Sequence, residues 1–283
     1  MKILLTGATG FIGNHVLREL VKSGHDIIAT GRKSQLADTA PAIDRVTYIP
    51  CDLNENRNDF FDFFRKPDLC IHLSWEGLPN YNEMFHIERN LFSNYHFIKN
   101  LTDSGLKNVA VIGTCFEYGL QNGCLSEHSE ARPVTAYAIA KDTLRKFIEL
   151  LNMKNKFNFR WIRLFYLHGE GQFKNSILAQ LKSALERGDR VFNMSGGEQL
   201  RDYLPVGKVA EYIVKIALQE RILGIINCCS GTPVSIRSLV ENYLRGAGKS
   251  IDLNLGYYQY PDYEPMAFWG DPALLRSVLS LYD

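Results

Sequence analysis

Lys2-Ile3-Leu4-Leu5-Thr6-Gly7-Ala8-Thr9-Gly10-Phe11-Ile12-Gly13 is an apolar run followed at once by three glycines spaced three apart. The run reads as a strand and the glycines as a tight turn. Val16, Leu17, Leu20 and Val21 then mark the buried face of a helix that Gly24 ends. A turn of this kind brings bare backbone amides close to a ligand, and the helix start presents its positive end to the same point. A pyrophosphate suits that environment. Gly7, Thr9, Gly10, Phe11, Ile12 and Gly13 are therefore expected to hold a dinucleotide.

Working outward, the first 165 residues alternate short apolar runs with helical patterns. Strands are predicted at Lys2–Thr6, Asp26–Thr30, Arg45–Pro50, Leu69–Leu73, Val109–Gly113 and Phe159–Phe165, with helices at Phe60–Phe64, Glu88–Ser104 and Ala136–Asn152. That alternation predicts an α/β fold, a doubly wound parallel sheet of Rossmann type. Residues 1–167 are assigned to the dinucleotide-binding domain and 168–283 to a smaller C-terminal substrate-binding lobe. The lobe is expected to carry helices near Ser176–Arg187, Val209–Gln219 and Pro272–Leu281, and a strand near Ile225–Cys229 that returns to the main sheet.

The bulk numbers exclude several classes. The chain has 283 residues, 46% hydrophobic and 22% charged, as in ordinary globular proteins. A net charge of +1 gives no pull toward nucleic acid or a membrane surface. No apolar run approaches the roughly 18 residues of a membrane span, so cytoplasmic residence is expected. The six cysteines form no C-x-x-C pair and have no histidines at zinc spacing; free thiols and no metal are expected.

The second strand decides the cofactor. An NAD site places an acid at its end to bind the ribose hydroxyls. Here the strand ends Ala29-Thr30-Gly31-Arg32-Lys33, where Arg32 and Lys33 suit a 2′-phosphate. NADP(H) is expected over NAD(H). After the third strand, Asp52 and Leu53 are placed to meet the adenine, and Asp52 could equally cap a helix.

Tyr137-Ala138-Ile139-Ala140-Lys141 puts a phenol and an ammonium on one helix face. The phenol's ordinary pKa is near 10; an adjacent cation lowers it and makes it a usable proton donor. Upstream, Thr114 ends a strand with a hydroxyl available for the same substrate oxygen.

The glycine turn, Thr114-Cys115-Phe116-Glu117-Tyr118-Gly119 and Tyr137-Ala138-Ile139-Ala140-Lys141 together resemble the extended short-chain dehydrogenases/reductases, in particular the NAD(P)-dependent epimerase/dehydratase group that acts on nucleotide sugars. Arg163-Leu164-Phe165, Gly169-Glu170-Gly171-Gln172, Arg201-Asp202-Tyr203 and Phe268-Trp269-Gly270-Asp271 extend the resemblance over the whole chain. It implies that Tyr137 exchanges the proton, Lys141 binds the nicotinamide ribose, and Thr114 bonds the reacting oxygen. It also implies that His72, Leu73 and Ser74 line the cofactor, that Asn175 and Arg201 meet the substrate pyrophosphate, and that two helices form a homodimer seam.

The departures narrow the reaction. Sugar dehydratases follow the strand-end threonine with an acid–base pair; here Cys115 and Phe116 stand there, which disfavours dehydration. No second acid/base for 3,5-epimerisation is present. Leu73-Ser74-Trp75-Glu76-Gly77-Leu78-Pro79-Asn80-Tyr81 resembles the loop of bacterial 4-keto-6-deoxysugar reductases of deoxysugar and polysaccharide biosynthesis. That resemblance implies NADPH-dependent reduction at C4 of a nucleotide-linked 4-dehydro-6-deoxyhexose, with Trp75, Cys115 and Phe116 around the sugar. Other readings stay open: a 4-epimerase with tightly bound NAD, a reductase of a non-sugar carbonyl, or a non-enzymatic redox sensor.

Overall fold

The opening run forms strand β1 (Lys2–Thr6), and the stretch after the glycines forms helix α1 (Phe11–Val21), with Val16, Leu17 and Leu20 buried. The computed structural model describes residues 1–36, 44–55 and 57–282. The chain continues through β2 (Asp26–Thr30), β3 (Val46–Tyr48), α2 (Phe60–Phe63), β4 (Leu69–His72), α3 (Phe92–Asp103), β5 (Asn108–Thr114), β6 (Gly123–Leu125), α4 (Ala136–Asn155) and β7 (Asn158–Leu164). Next come β8 (Tyr166–His168), α5 (Ile177–Arg187), β9 (Val191–Asn193), β10 (Leu200–Pro205), α6 (Val206–Leu218) and β11 (Gly224–Cys228). The last elements are β12 (Pro233–Ser235), α7 (Ile236–Ala247), β13 (Asp252–Asn254), β14 (Phe268–Gly270) and α8 (Ala273–Leu279).

Seven strands form a parallel sheet in the order β11-β7-β5-β4-β1-β2-β3. The order reverses between β1 and β4, which opens a crevice beyond their carboxyl ends where such sheets bind ligands. Alternate residues of each strand face opposite sides. Ile3 and Leu5 pack with Val16, Leu20, Ile213 and Val278 of α1, α6 and α8. Leu4, Cys70 and Val109 pack with Phe97, Leu101, Leu144 and Ile148 of α3 and α4. Both faces are therefore covered, as the near-continuous apolar strands require.

Beyond residue 168 the chain divides its work. α6, β11 and α8 return to complete the large core, and β11 pairs with β7 at the sheet edge. A separate small core forms from Leu181 of α5, Phe192 and Met194, and Val240 of α7. β12, β10 and β8 make a three-stranded sheet beside it.

Two stretches differ from expectation. Glu88–Ser104 is not one regular helix: a π-helical turn, His86–Leu91, leads into α3. Asn90 Nδ2 donates to the Glu76 carbonyl at 3.0 Å, and His86 is tied to Trp75 and Asn80, contacts that helical periodicity does not register. Helix α7 has no counterpart in the sequence reading; Ser235 caps it by accepting from the Ser238 amide at 3.0 Å. Among the described residues no helix is long and apolar enough to cross a membrane.

Candidate active site

The glycine turn leaves no room for side chains. Gly7 has φ +67°, and a Cβ on it would lie 3.0 Å from the Ser74 amide; a Cβ on Gly13 would lie 2.0 Å from the Gly7 carbonyl oxygen. Gly10 caps α1 without a side-chain acceptor, and the first turn carries no acid. Asn14 is the first amide to find its partner, on the Gly10 carbonyl, so those of Phe11, Ile12 and Gly13 have no acceptor within the helix. Bare amides, a positive helix end and the close approach of two glycines fit a dinucleotide pyrophosphate.

The cleft beside this turn is lined by Gly7, Thr9, Arg32, Asp52, Leu73 and Ser74, and also by Leu53. Arg32 forms an ion pair with Glu76, which Arg89 shares. Lys33 is exposed, and its carbonyl accepts from the Tyr48 hydroxyl at 2.7 Å. Asp52 closes a local turn: its Oδ1 accepts from the Asn54 amide at 3.0 Å and from Asn54 Nδ2 at 2.8 Å.

His72 corrects an expectation. It is buried and does not line the cleft. Thr6 Oγ1 accepts from the Leu73 and Ser74 amides at 3.1 and 3.2 Å, so its proton points to His72 Nδ1 at 2.9 Å; Nε2 then donates to Asn94 Oδ1 at 2.6 Å. Burial, with Lys141 nearby, holds the imidazole down to about 3. It is a neutral latch that fixes the loop after β4.

The three expected catalytic groups meet at the end of β5. Pairing of β4 with β5 stops at His72 and Val111, whereas β5 and β7 stay paired to Thr114 and Leu164. The last residues of β5 thus border the crevice. Lys141 Nζ reaches in from α4 and donates to the Ile112 carbonyl at 2.9 Å, and it stands 4.0 Å over the indole of Trp75. Thr135 caps α4 through the Ala138 amide, and the Tyr137 amide bonds the Tyr81 carbonyl at 2.9 Å, which fixes the helix start. The Tyr137 ring lies 5.4 to 5.9 Å from those of His86, Tyr81 and Trp75.

Burial sets the charge states. It pushes the Tyr137 phenol well above its ordinary value, with Tyr81 adding to the shift and the Thr114 hydroxyl opposing it. It pushes Lys141 down to about 7, with Glu117 opposing. In this enclosure the ammonium is poised at neutral pH and the phenol holds its proton; this corrects the expectation that the adjacent cation lowers the phenol, because burial outweighs it.

The remaining expected residues are placed as follows. Trp75 borders the cleft beside the glycine turn, donates to His86 Nδ1 at 3.0 Å and lies edge-on to Tyr137. Phe116 is half-buried, 5.0 Å from Tyr81 and 6.1 Å from Tyr166, in an aromatic wall that Tyr263 extends. Cys115 is packed away with Tyr118, Phe165 and Phe268; burial raises its thiol far beyond use as an acid or base. Asn175 is exposed at the mouth of a separate wide cleft with His168, Gln172 and Leu178. Arg201 is a correction. Its guanidinium is 1% exposed, pairs with Glu264 at 2.8 Å and donates to the carbonyls of Leu200 and Met266, so it is not free to hold a pyrophosphate while that pair stands.

Sequence reasoning missed Tyr81, His86, Glu264 and the Glu117–Arg163 pair. Only Glu117 carried a readable signal, the Thr-x-x-Glu capping box that starts at Thr114.

A model of the NAD dependent epimerase/dehydratase family matches residues 3–229. A dTDP-6-deoxy-L-talose 4-dehydrogenase (NAD(+)) from Aggregatibacter actinomycetemcomitans is 29% identical, over 95% of this chain and 99% of the relative. A GDP-6-deoxy-D-talose 4-dehydrogenase from the same organism is 24% identical, over 99% and 91%. The UDP-glucuronic acid 4-epimerase of Bacillus cereus, solved with UDP-glucuronic acid and NAD, superposes with a TM-score of 0.86 at 22% identity over 99% and 93%, which shows a shared fold. Because the family match runs through most of the chain, from β1 to the end of the main sheet, the protein belongs to the NAD dependent epimerase/dehydratase family.

Proposed function

We propose that the protein reduces the C4 keto group of a nucleotide-linked 4-dehydro-6-deoxyhexose with NADPH. The first candidate is dTDP-4-dehydro-6-deoxyglucose, giving dTDP-fucose or a related dTDP- or CDP-deoxysugar. The observation that carries this reading is that, among the described residues, the Tyr137 phenol keeps its proton beside the Thr114 hydroxyl. Tyr137 stands beside Thr114 and Lys141, while the two positions after Thr114 hold a buried thiol and a phenyl ring. One proton donor serves addition of hydride and a proton to one carbonyl; water elimination needs two more groups. Both relatives from Aggregatibacter are named for chemistry at C4 of a 6-deoxytalose nucleotide, which is an alcohol–ketone interconversion at the same carbon, written as oxidation and on a different sugar.

The glycine turn, the free amides of α1 and Arg32 would hold the dinucleotide, and its reduced nicotinamide supplies hydride when bound. Thr114 and Tyr137 hold the carbonyl oxygen, and Tyr137 gives it a proton, a contribution typically worth about 10²–10⁴ in rate. Lys141 provides positive charge that favours phenolate once the proton has left. The aromatic wall of Tyr81, Phe116 and Tyr137 excludes water around the sugar.

The test is incubation of the protein with dTDP-4-dehydro-6-deoxyglucose and NADPH. The reading expects loss of reduced-nicotinamide absorbance matched by a 6-deoxysugar nucleotide. Interconversion of C4 epimers with no net cofactor change would instead identify a 4-epimerase. The cofactor preference rests on Arg32 and Lys33, although one relative is named for NAD(+). Arg32→Ala is expected to weaken NADPH about 10- to 100-fold more than NADH, the scale of one or two charge-assisted hydrogen bonds. Equal losses in a binding titration would overturn the NADPH assignment.

A further inference from the structure

Thr114 leads into a single 3₁₀ turn, Cys115–Tyr118. Its hydroxyl accepts from the Phe116 amide at 3.3 Å, and its own amide donates to Glu117 Oε1 at 2.9 Å. A capping-box glutamate usually faces solvent; this one has no exposure at all. Its carboxylate also accepts from Trp161 Nε1 at 2.9 and 3.0 Å and from Arg163 Nε at 2.7 Å. Trp161 and Arg163 are two residues apart on β7, so they share one sheet face, and Gly113 opens onto it. A Cβ on Gly113 would lie 2.2 Å from Trp161 Nε1 and 2.6 Å from Glu117 Oε1. Helix α4 covers that same face, and from it Lys141 reaches the carbonyl of Ile112. A buried anion and a buried cation therefore flank the same three residues of backbone, Ile112 to Thr114.

Burying a carboxylate carries a large desolvation penalty even when it is paired, so a merely local cap is a poor account of Glu117. We infer that Glu117 is a positioning residue: it fixes the Thr114 backbone and supplies the negative charge that keeps the Lys141 ammonium protonated beside Tyr137. The inference rests on the reading that Thr114, Tyr137 and Lys141 are the reacting groups. Lys141 lies near His72 of β4, His86 of the π turn and Glu117, with Tyr137 one turn away on α4; Arg163 of β7 is ion-paired with Glu117. His72 and His86 are both held toward their neutral forms by burial, and Tyr137 keeps its proton. Among the described residues, Glu117 is the carboxylate that brings negative charge to Lys141.

The test is a pH titration of Lys141 in cofactor-free protein carrying ¹³C-labelled lysine, with the signal assigned by its loss in Lys141→Met. Glu117→Gln keeps the shape and an acceptor oxygen and removes the charge. The Lys141 midpoint is expected to fall by about one unit or more, the usual influence of a close opposite charge. The alkaline limb of the kcat/KM profile should move down with it. Should Glu117→Gln fail to fold, Glu117→Asp keeps Arg163 paired while withdrawing the carboxylate, and a smaller fall is expected. An unchanged midpoint in the folded variant, with kcat alone reduced, overturns the inference. Because the titration needs no substrate, the two readings fail separately. A shifted midpoint in a protein that reduces no keto sugar upholds Glu117 and sinks the substrate; an unshifted one with normal reduction does the reverse.

Discussion

Lys141 and Arg201 are both cations held almost wholly out of water, with 3% and 1% of their surface exposed, yet the fold treats them in opposite ways. Lys141 has one carbonyl and an indole face for company, and burial pushes it down to about 7. Arg201 has the Glu264 carboxylate, two carbonyls, and the rings of Phe268 and Tyr166 at 4.9 and 5.6 Å. Burial presses on Arg201 as well, but Tyr166 and Glu264 outweigh it and hold the guanidinium charged. The contrast separates two uses of a buried charge. A cation without a contacting carboxylate keeps a protonation state that its surroundings can move, as chemistry requires. One paired with a carboxylate and bonded to two carbonyls fastens the segment around Glu264 to β10.

If that division is right, damage at the two places should register in different measurements. The largest effect is expected beside Lys141. Tyr137→Phe should lower turnover by about 10²–10⁴. It should leave the melting temperature and the cofactor affinity close to those of the parent, because the ring remains packed against Trp75, Tyr81 and His86. Steady-state rates and a cofactor titration check it, and unimpaired turnover would remove Tyr137 from the mechanism. Next in size is Glu264→Ala, which strands Arg201 among apolar rings. A loss of about 3 kcal/mol is expected, the lower end for breaking a buried pair because Glu264 keeps 14% side-chain exposure. Chemical denaturation measures it. A variant as stable as the parent would mean that Arg201 is free to turn toward a ligand after all, and would restore it as a pyrophosphate contact.

The same contrast governs what could be read from the sequence. The large sheet was legible because its strands are short apolar runs whose faces alternate, and because the glycine turn admits no other residues at Gly7 and Gly13. The placement of Tyr137 and Lys141 on one face of α4, and of Thr114 at the end of β5, was legible because four-residue helical spacing and a strand end are local facts. Arg201 was misread since its partner lies 63 residues away, in a segment without helical or strand periodicity. His72 was misread for a similar reason. Its position after an apolar strand suggests a cofactor contact, but Thr6 and Asn94, which take up both of its ring nitrogens, belong to other elements. Glu117 lay between these cases: the capping box was visible, its burial against Arg163 was not.

The last expected effect is a slope, at most about 1.4 kcal/mol per pH unit, and it probes the poised cation directly. Lys141 titrates near 10.5 in an unfolded chain and at about 7 in the folded one. Between those values the unfolded chain binds the extra proton, so this residue makes stability rise with pH across the window and carries its full cost below about 7. Lys141→Met keeps the packing and removes the titration. Relative to the parent, the variant should therefore be more stable just below pH 7, and the gap should close as the pH approaches 10. Denaturant midpoints of both proteins, taken without cofactor at the two ends of that window, give the difference. A gap that stays constant with pH would mean that Lys141 remains charged throughout. The ammonium would then be as firmly held as the Arg201 guanidinium, and the distinction between a movable charge and a fixed one would fail at the residue on which it was drawn.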